Sequence, residues 1–163
     1  MLILAQLCGL FGGVSNILSS WQNERKKMLM LLLIDNICYF SQYILLGALS
    51  GACISLINFF RTLLFINKKR LTNIVLVVFM IIYLIIGILT FDGIYTLIPT
   101  IISIFYVNVL WLDDEKLIRK GSVIMLLSWC IYNLSVNAYV SAIIEFVLML
   151  SNILAIYKLD LKK

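Results

Sequence analysis

Seven apolar stretches divide the chain, and charged or small residues separate each from the next. They cover residues 2–20, 28–47, 51–67, 71–90, 94–111, 121–137 and 139–157. Each is close to the roughly 20 residues that an α-helix needs to cross a bilayer. Helices are required, because unpaired backbone groups are costly in lipid. The pattern predicts an all-α integral membrane protein, with seven transmembrane helices in one domain over residues 1–163.

Polar residues form a stripe at helical spacing on six of the seven stretches. The stripes are Gln6, Gly9, Gly13, Asn16 and Ser20; Asp35, Tyr39 and Gln42; Asn58, Arg61 and Thr62; Thr96, Pro99, Thr100 and Ser103; Trp129, Tyr132 and Asn133; and Ser141, Glu145 and Asn152. The stretch 71–90 is apolar around nearly its whole circumference, as expected of a helix lying against lipid. Converging stripes would form a hydrated cavity with this helix outside it. Alternatively, the polar residues only hold helices together in a dry interior.

The layout of the first three and the last three stretches is doubled. Trp21 precedes "QNERKK" and Trp111 precedes "LDDEKLIRK". Ninety-one residues separate the turn "GALSGA" (47–52) from "AYVSAI" (138–143), so that Ser50 matches Ser141. This predicts two three-helix units, 1–67 and 94–157, joined by a linker helix over 71–90. Because one helix lies between them, the units share an orientation, which is one of the known plans of transporters.

The basic residues predict the orientation of the chain in the membrane. Of 13 Lys and Arg residues, all but Arg61 fall in four clusters at alternate connections. The clusters are Arg25, Lys26 and Lys27; Lys68, Lys69 and Arg70; Lys116, Arg119 and Lys120; and Lys158, Lys162 and Lys163. By the positive-inside rule, the N-terminus is outside and the C-terminus is cytoplasmic. Such clusters between apolar stretches indicate the lipid bilayer as partner, despite a net charge of +5, and not nucleic acid. Whether the chain forms a homo-oligomer stays open.

Composition narrows the chemistry. The chain is 63% hydrophobic and 13% charged, whereas soluble domains are about a quarter charged. It has no histidine, and its four cysteines fall within apolar segments without metal-like spacing. No serine–lysine or paired-aspartate arrangement is apparent either. The sequence therefore predicts no metal, no cofactor and no enzyme.

Three ionisable residues, Asp35, Arg61 and Glu145, lie within the apolar stretches, where a charged Arg or Asp costs about 2.5–3.5 kcal/mol on insertion scales. Counting from the turn between the second and third helices places Asp35 and Arg61 at similar depth. Three interpretations of Arg61 stay open: reaching out to the membrane edge along its stem, an ion pair with Asp35, and contact with an anionic group of a substrate. Glu145 is a candidate for proton coupling, because burial favours a neutral carboxyl; a structural hydrogen bond to Tyr132 or Asn133 is the alternative.

Several motifs resemble those of the bacterial inner-membrane YgjV-like proteins over nearly the whole chain. They are "AQ-x-x-G" (Ala5, Gln6, Gly9), "LLG" (45–47), "LIN-x-x-RTL" (56–63), and the set Trp129, Tyr132, Asn133, Ile144, Glu145 and Asn152. The resemblance implies a multi-pass protein of the bacterial inner membrane, without a settled activity. More distantly, the layout is similar to the SWEET and PQ-loop transporters and to PnuC vitamin transporters. The similarity to SWEET proteins implies pocket roles for Asn58, Asn152 and Trp129. The second helix, however, has Tyr39 in place of a tryptophan, and the proline–glutamine dipeptide is missing.

The resulting hypothesis is a small-solute transporter or facilitator with SWEET-like alternating access. The expected substrate is a sugar, a vitamin or a small organic metabolite. The candidate substrate-binding residues are Asn58, Arg61, Trp129, Asn133 and Asn152; Asp35 and Glu145 are coupling or structural charges, and Pro99, Gly9 and Gly13 are candidate hinges. The alternative is a non-transporting membrane protein, either a scaffold or a sensor subunit.

Overall fold

The protein is helical throughout the part that the computed structural model describes, namely residues 2–66, 72–112, 114–135 and 139–161. These ranges contain seven α-helices and no β-strand: α1 Leu2–Ser20, α2 Arg25–Leu46, α3 Leu49–Phe65, α4 Asn73–Leu89, α5 Leu97–Trp111, α6 Glu115–Ser135 and α7 Tyr139–Ile156. A 3₁₀ turn, Ile94–Thr96, leads into α5, and a π-helical turn, Tyr157–Leu161, follows α7. The all-α prediction is confirmed. The expected basic clusters at 68–70 and 162–163 lie outside the described residues.

The helix ends differ from the predicted stretches where charged residues continue a helix. α2 begins at Arg25 and α6 at Glu115, so residues expected in connections occupy first helical turns. At α6, one carboxylate oxygen of Asp114 accepts hydrogen bonds from the backbone N–H groups of Lys116 and Leu117, at 2.8 and 3.2 Å. This N-cap satisfies donors that a helix otherwise leaves unpaired. Polar capping thus extends the helix beyond its apolar part.

Four helical stretches within the described residues are long and apolar enough to cross a membrane: Ile3–Ser20, Arg25–Leu46, Ile94–Trp111 and Tyr139–Asp160. α3 and α4 are apolar but have 17 residues each. α6 is long, with 21 residues, and has several charged residues in its first turns.

Six of the helices close a ring. α1, α2 and α3 pack in sequence, as do α5, α6 and α7, and the contacts of α3 with α5 and of α7 with α1 complete it. α4 packs against α3 and α5 from outside the ring. The ring encloses the polar stripes, and the outer faces of the helices present large apolar side chains such as Ile74 and Ile88.

Two arginines hold helix ends together at one end of the bundle, which we name the arginine end. Arg25 of α2 donates to the carbonyl oxygens of Phe65 and Leu110, at 2.9 and 3.2 Å, and so ties the last turns of α3 and α5. Arg119 of α6 donates to the Gln22 carbonyl beyond α1, at 3.1 Å, and to the Asp160 carboxylate beyond α7. The C-terminal ends of all four odd-numbered ring helices therefore lie at the arginine end. Helix C-termini favour cationic side chains, because their last carbonyls lack partners within the helix.

Uncharged side chains join helices at the opposite end of the bundle. Gln42 of α2 donates to Ser141 of α7 at 2.6 Å, and the hydroxyls of Ser50 of α3 and Tyr132 of α6 are 2.8 Å apart. Between them, the Tyr43 hydroxyl donates to the Asn133 side-chain oxygen at 3.3 Å. Each bond links the first three helices to the last three. Both ends of the bundle are therefore held by polar contacts.

The linker helix differs from its prediction of a helix apolar on all sides. Phe79, Tyr83 and Gly87 recur at every fourth position and are buried against the ring. A Cβ added at Gly87 would lie 2.5 Å from the Thr100 hydroxyl of α5, so this glycine allows a close approach of the two helices. Tyr83 is fully buried and reaches the polar interior. α4 is therefore lipid-facing on one side and inward-facing on the other.

Replacing Arg119 with glutamine is expected to destabilise the protein strongly. The side chains of Arg119 and Asp160 are only 4% and 3% exposed, so the variant leaves a buried carboxylate without its partner. The expected loss is about 3–5 kcal/mol. Lys27→Gln is the control, because it breaks a pair with Glu24 whose side chains are 54% and 64% exposed, at a cost of at most about 1 kcal/mol. Unfolding in detergent measures both, and equal losses would contradict the assignment.

Candidate functional site

A cavity of about 40 Å³ lies inside the ring. Its walls are Asn16 of α1; Leu32, Asp35, Asn36, Tyr39 and Tyr43 of α2; Ser55, Asn58 and Arg61 of α3; Tyr106 of α5; Met125, Leu126 and Trp129 of α6; and Glu145 of α7. All six ring helices contribute, and α4 does not. The cavity has room for about two or three water molecules. A polar interior at the centre of the ring was expected from the stripes, but its volume is small.

Arg61 lies on the side of the cavity where α3 packs against α4 and α5, and its guanidinium contacts side chains inside the bundle. It donates to the Tyr83 hydroxyl at 3.2 Å and, more weakly, to Thr62 at 3.4 Å. The Tyr83 hydroxyl in turn donates to the Asn58 side-chain oxygen at 2.7 Å. The guanidinium carbon also lies 5.6 Å from the centre of the Tyr106 ring, within range of a cation–π contact. Because these partners are inside the bundle and Arg61 is 3% exposed, the side chain does not reach for the membrane edge.

Asp35 and Glu145 lie on the opposite wall, formed by α1, α2 and α7. One Asp35 carboxylate oxygen accepts a long hydrogen bond, 3.4 Å, from the side-chain nitrogen of Asn16. The other Asp35 oxygen, Oδ1, and Oε2 of Glu145 are buried without a hydrogen-bond partner among the described residues. The cavity therefore has an acidic wall and a basic wall.

The ion pair between Asp35 and Arg61, one of the three interpretations that the sequence leaves open, is not formed. Among the described residues, no carboxylate oxygen lies within the 4.0 Å ion-pair distance of the Arg61 guanidinium. Both side chains do line the same cavity, so the prediction of similar depth agrees with the structure. The guanidinium instead turns toward Tyr83 and Tyr106, because side chains on a helix lean toward its N-terminus and these hydroxyl and ring acceptors lie there.

Stacked aromatic rings cover the cavity on the side of the opposite end. The ring centres of Tyr39 and Tyr43 are 6.0 Å apart, and those of Tyr43 and Trp129 are 5.8 Å apart. Trp129 meets Tyr132 edge to face at 5.6 Å. Since Tyr43 and Tyr132 also make hydrogen bonds of the opposite end, the aromatic rings connect the cavity to the contacts that close it.

Three of the five predicted substrate-binding residues line the cavity: Asn58, Arg61 and Trp129. Asn133 and Asn152 are buried but are not part of its wall. Asn133 accepts from Tyr43, so neither it nor Tyr132, which bonds to Ser50, holds Glu145. The polar stripes therefore predicted correctly which faces of α6 and α7 point inward. They did not predict at which depth along these helices the cavity lies.

The candidate hinges occupy closely packed helical positions. A Cβ added at Gly9 would lie 2.7 Å from the Gln42 side chain, and one at Gly13 would lie 2.8 Å from Ile144. Both glycines thus bring α1 close to its neighbours α2 and α7. Pro99 is in the first turn of α5, where the missing backbone N–H disrupts no helical hydrogen bond.

Several polar groups at the site were not predicted: Asn36, Tyr43, Ser55 and Tyr106 on the cavity wall, and Tyr83 beside it. Tyr106 continues the predicted stripe of α5, three positions after Ser103, and its hydroxyl is 2.7 Å from Ser122 of α6. The periodicity could have identified it. Tyr83 had a weaker signal, as the only tyrosine in the apolar linker helix.

These features define a multi-pass α-helical membrane protein that gathers its polar and ionisable groups inside the bundle. The family model of Imp-YgjV, described as a bacterial inner membrane protein, matches residues 3–163, and the chain belongs to this family. No curated protein and no solved structure matches the chain. Family membership confirms both the resemblance to YgjV-like proteins and the predicted location in the bacterial inner membrane.

Replacing Tyr83 with phenylalanine tests the hydrogen bonds that hold Arg61. The variant removes the hydroxyl that accepts from Arg61 and donates to Asn58, and leaves both groups buried without it. The expected destabilisation is about 1–3 kcal/mol, measured by unfolding in detergent. Tyr95→Phe removes a hydroxyl from a side chain that is 56% exposed and should change stability little. A loss in the control as large as in Tyr83→Phe would exclude this role.

Proposed function

We propose that the protein is a small-solute transporter or facilitator of the inner membrane, with the central cavity as its occluded substrate site. The observation that carries the proposal is that all six ring helices supply residues to one cavity containing two carboxyls and a guanidinium. Ionisable groups within a membrane domain are expensive and typically mark the pathway of a substrate or ion. Asn58, Arg61 and Trp129 are the predicted contacts of the solute.

Paired contacts support the arrangement of two parallel three-helix units with α4 as linker. The hydrogen-bonded Tyr43 and Asn133 are 90 residues apart. The same shift relates Gln42 to Tyr132 and, to within one residue, Ser50 to Ser141, so the bonds Gln42–Ser141 and Tyr132–Ser50 are equivalent.

At the arginine end the helices correspond in the same way, although Arg25 and Arg119 are 94 residues apart and not 90. Arg25 of α2 ties the end of α3 to the first helix of the other unit, α5. Arg119 of α6 ties the segment after α7 to the one after α1. α2 and α6 hold the same place in their three-helix units. The arginine of α2 links α3 to α5, and the arginine of α6 links the segments after α7 and α1, as expected of a parallel repeat.

The positive-inside rule supports the cytoplasm as the location of the arginine end. The described clusters around Arg25 and Lys116, and Lys158 after α7, belong to this end. The proposed topology is therefore seven transmembrane helices with the N-terminus outside and the C-terminus in the cytoplasm.

Alternating access follows from the two closed ends. Pockets that enclose organic ligands have volumes of about 300–1,000 Å³. The cavity of about 40 Å³ would therefore widen when the units rock apart at one end and admit a sugar, a vitamin or another small metabolite. The proposed cycle opens the contacts at the arginine end and those at the opposite end in turn.

A scaffold or sensor subunit is the second candidate. The small cavity volume and the hydrogen bonds at both ends favour it, because a bundle that only packs needs no opening. In that case, the polar residues stabilise the association of the helices.

Uptake into proteoliposomes from a panel of sugars, vitamins and organic acids distinguishes the two functions. We expect uptake of at least one solute, and Asn58→Ala should reduce it by about tenfold, since 1.4 kcal/mol of lost binding corresponds to that factor. Asn108→Ala is the matched control, because Asn108 donates to Ile104 of its own helix and lies off the cavity wall. Uptake that is unchanged in Asn58→Ala would refute the site, and no uptake across the panel would favour the scaffold.

A further inference from the structure

The acidic wall of the cavity has the properties of a cation site. We propose that Asp35 and Glu145 bind one monovalent alkali-metal cation, with sodium as the expected ion. Binding itself is independent of transport; a role as coupling ion rests on the proposed function.

Unpartnered oxygens provide the first argument. Asp35 and Glu145 are 6% and 4% exposed, and each has one carboxylate oxygen without a hydrogen-bond partner among the described residues. The Tyr39 hydroxyl on the same cavity wall also lacks a partner among these residues. Both acidic residues line the same small cavity. A buried carboxylate oxygen that lacks a donor is costly, whereas a cation shared by two such oxygens would satisfy both.

Charge balance provides the second argument. Asp35, Glu145 and Arg61 are the acidic and basic side chains on the cavity wall, and their net charge is −1 when all three are ionised. One monovalent cation, either an alkali-metal ion or a proton on one carboxyl, brings the sum to zero, and the sodium-binding experiment below distinguishes the two. Neutrality matters here, because an uncompensated charge in a low-dielectric interior is strongly unfavourable.

Arg61 does not compete for the carboxylates. Its guanidinium is held on the other wall by the Tyr83 hydroxyl and the Tyr106 ring. A cation beside α1, α2 and α7 therefore lies across the cavity from the fixed positive charge. An anion in the same place would face two carboxyls.

Ligand type and size also fit a sodium ion. Hard cations prefer oxygen ligands. Asn16 donates through its nitrogen to Asp35, which leaves the Asn16 side-chain oxygen available as a further ligand. The volume of about 40 Å³ accommodates an ion with one or two waters completing its shell.

A transition metal or a tightly bound divalent ion fits less well. Within the described ranges, no group of three or more His, Cys, Asp and Glu side chains could hold a metal ion. Two carboxylates opposed by a guanidinium do not balance a double positive charge. The observations therefore favour a single positive charge.

Equilibrium binding of radioactive sodium to the purified protein in detergent, with choline chloride holding ionic strength constant, tests the proposal. We expect saturation near one ion per chain, and lithium should compete better than choline. Asp35→Asn and Glu145→Gln should each raise the half-saturating sodium concentration at least about tenfold, since losing even the partner of a metal ligand has such effects. Glu24→Gln removes the same chemical group from an exposed position and should bind like the wild type.

Several results would overturn the proposal. They are the absence of sodium binding by the wild type and sodium binding that is unchanged in both cavity variants. If a variant does not fold, as judged by size-exclusion chromatography, the stoichiometry and lithium competition of the wild type decide. Sodium binding without uptake of any solute would refute transport alone, and uptake without sodium binding would refute the cation site alone.

Discussion

A guanidinium buried in an apolar bundle needs hydrogen-bond acceptors from the neighbouring side chains. The position of the helices around Arg61 follows from this constraint. Its acceptors come from three helices: Thr62 of its own helix, Tyr83 of α4 and the ring of Tyr106 of α5. Tyr83 can serve only if α4 turns one face inward, and the spacing of Phe79, Tyr83 and Gly87 provides that face. The burial of α4 against α3 and α5 is therefore tied to one charge, in addition to apolar packing.

The same constraint separates the charges within the cavity. Arg61 makes its contacts with neutral partners on one side, although its Nε stays unpartnered, and Asp35 and Glu145 have no cationic partner among the described residues. A direct ion pair would have filled the space between these groups. The separation instead preserves a small polar volume between two ends at which hydrogen bonds join the helices. A packed, neutral interior would have been the simpler way to stabilise seven apolar helices.

Much of the fold could be predicted from sequence, because long apolar runs leave few choices in a membrane. Each predicted stretch overlaps a helix, and the largest differences, as at Glu115, arise where caps extend helices outside the apolar part. The site was predicted less completely. A polar stripe reveals which face points inward but not the depth at which a cavity opens, so Asn152 shares a face with Glu145 and yet lies off the wall. Tyr83 could not be assigned, since its burial depends on the direction in which the Arg61 side chain leaves α3.

Comparison of the first three helices with the last three separates polar residues that join helices from those of the cavity. Contacts that join helices recur after the shift that relates Tyr43 to Asn133. The Ser15 hydroxyl donates to the Leu31 carbonyl at 2.8 Å. To within one residue, the shift takes Ser15 to Tyr106 and Leu31 to Ser122, and the hydroxyls of this second pair are also hydrogen-bonded.

The ionisable residues do not recur. The same shift takes Asp35 to Met125 and, to within one residue, Arg61 to Asn152, while Glu145 corresponds to Ser55. None of these counterparts is ionisable, so the equivalent places in the fold do not require a charge. The charges of the cavity are therefore not among the contacts that repeat between the first three and the last three helices.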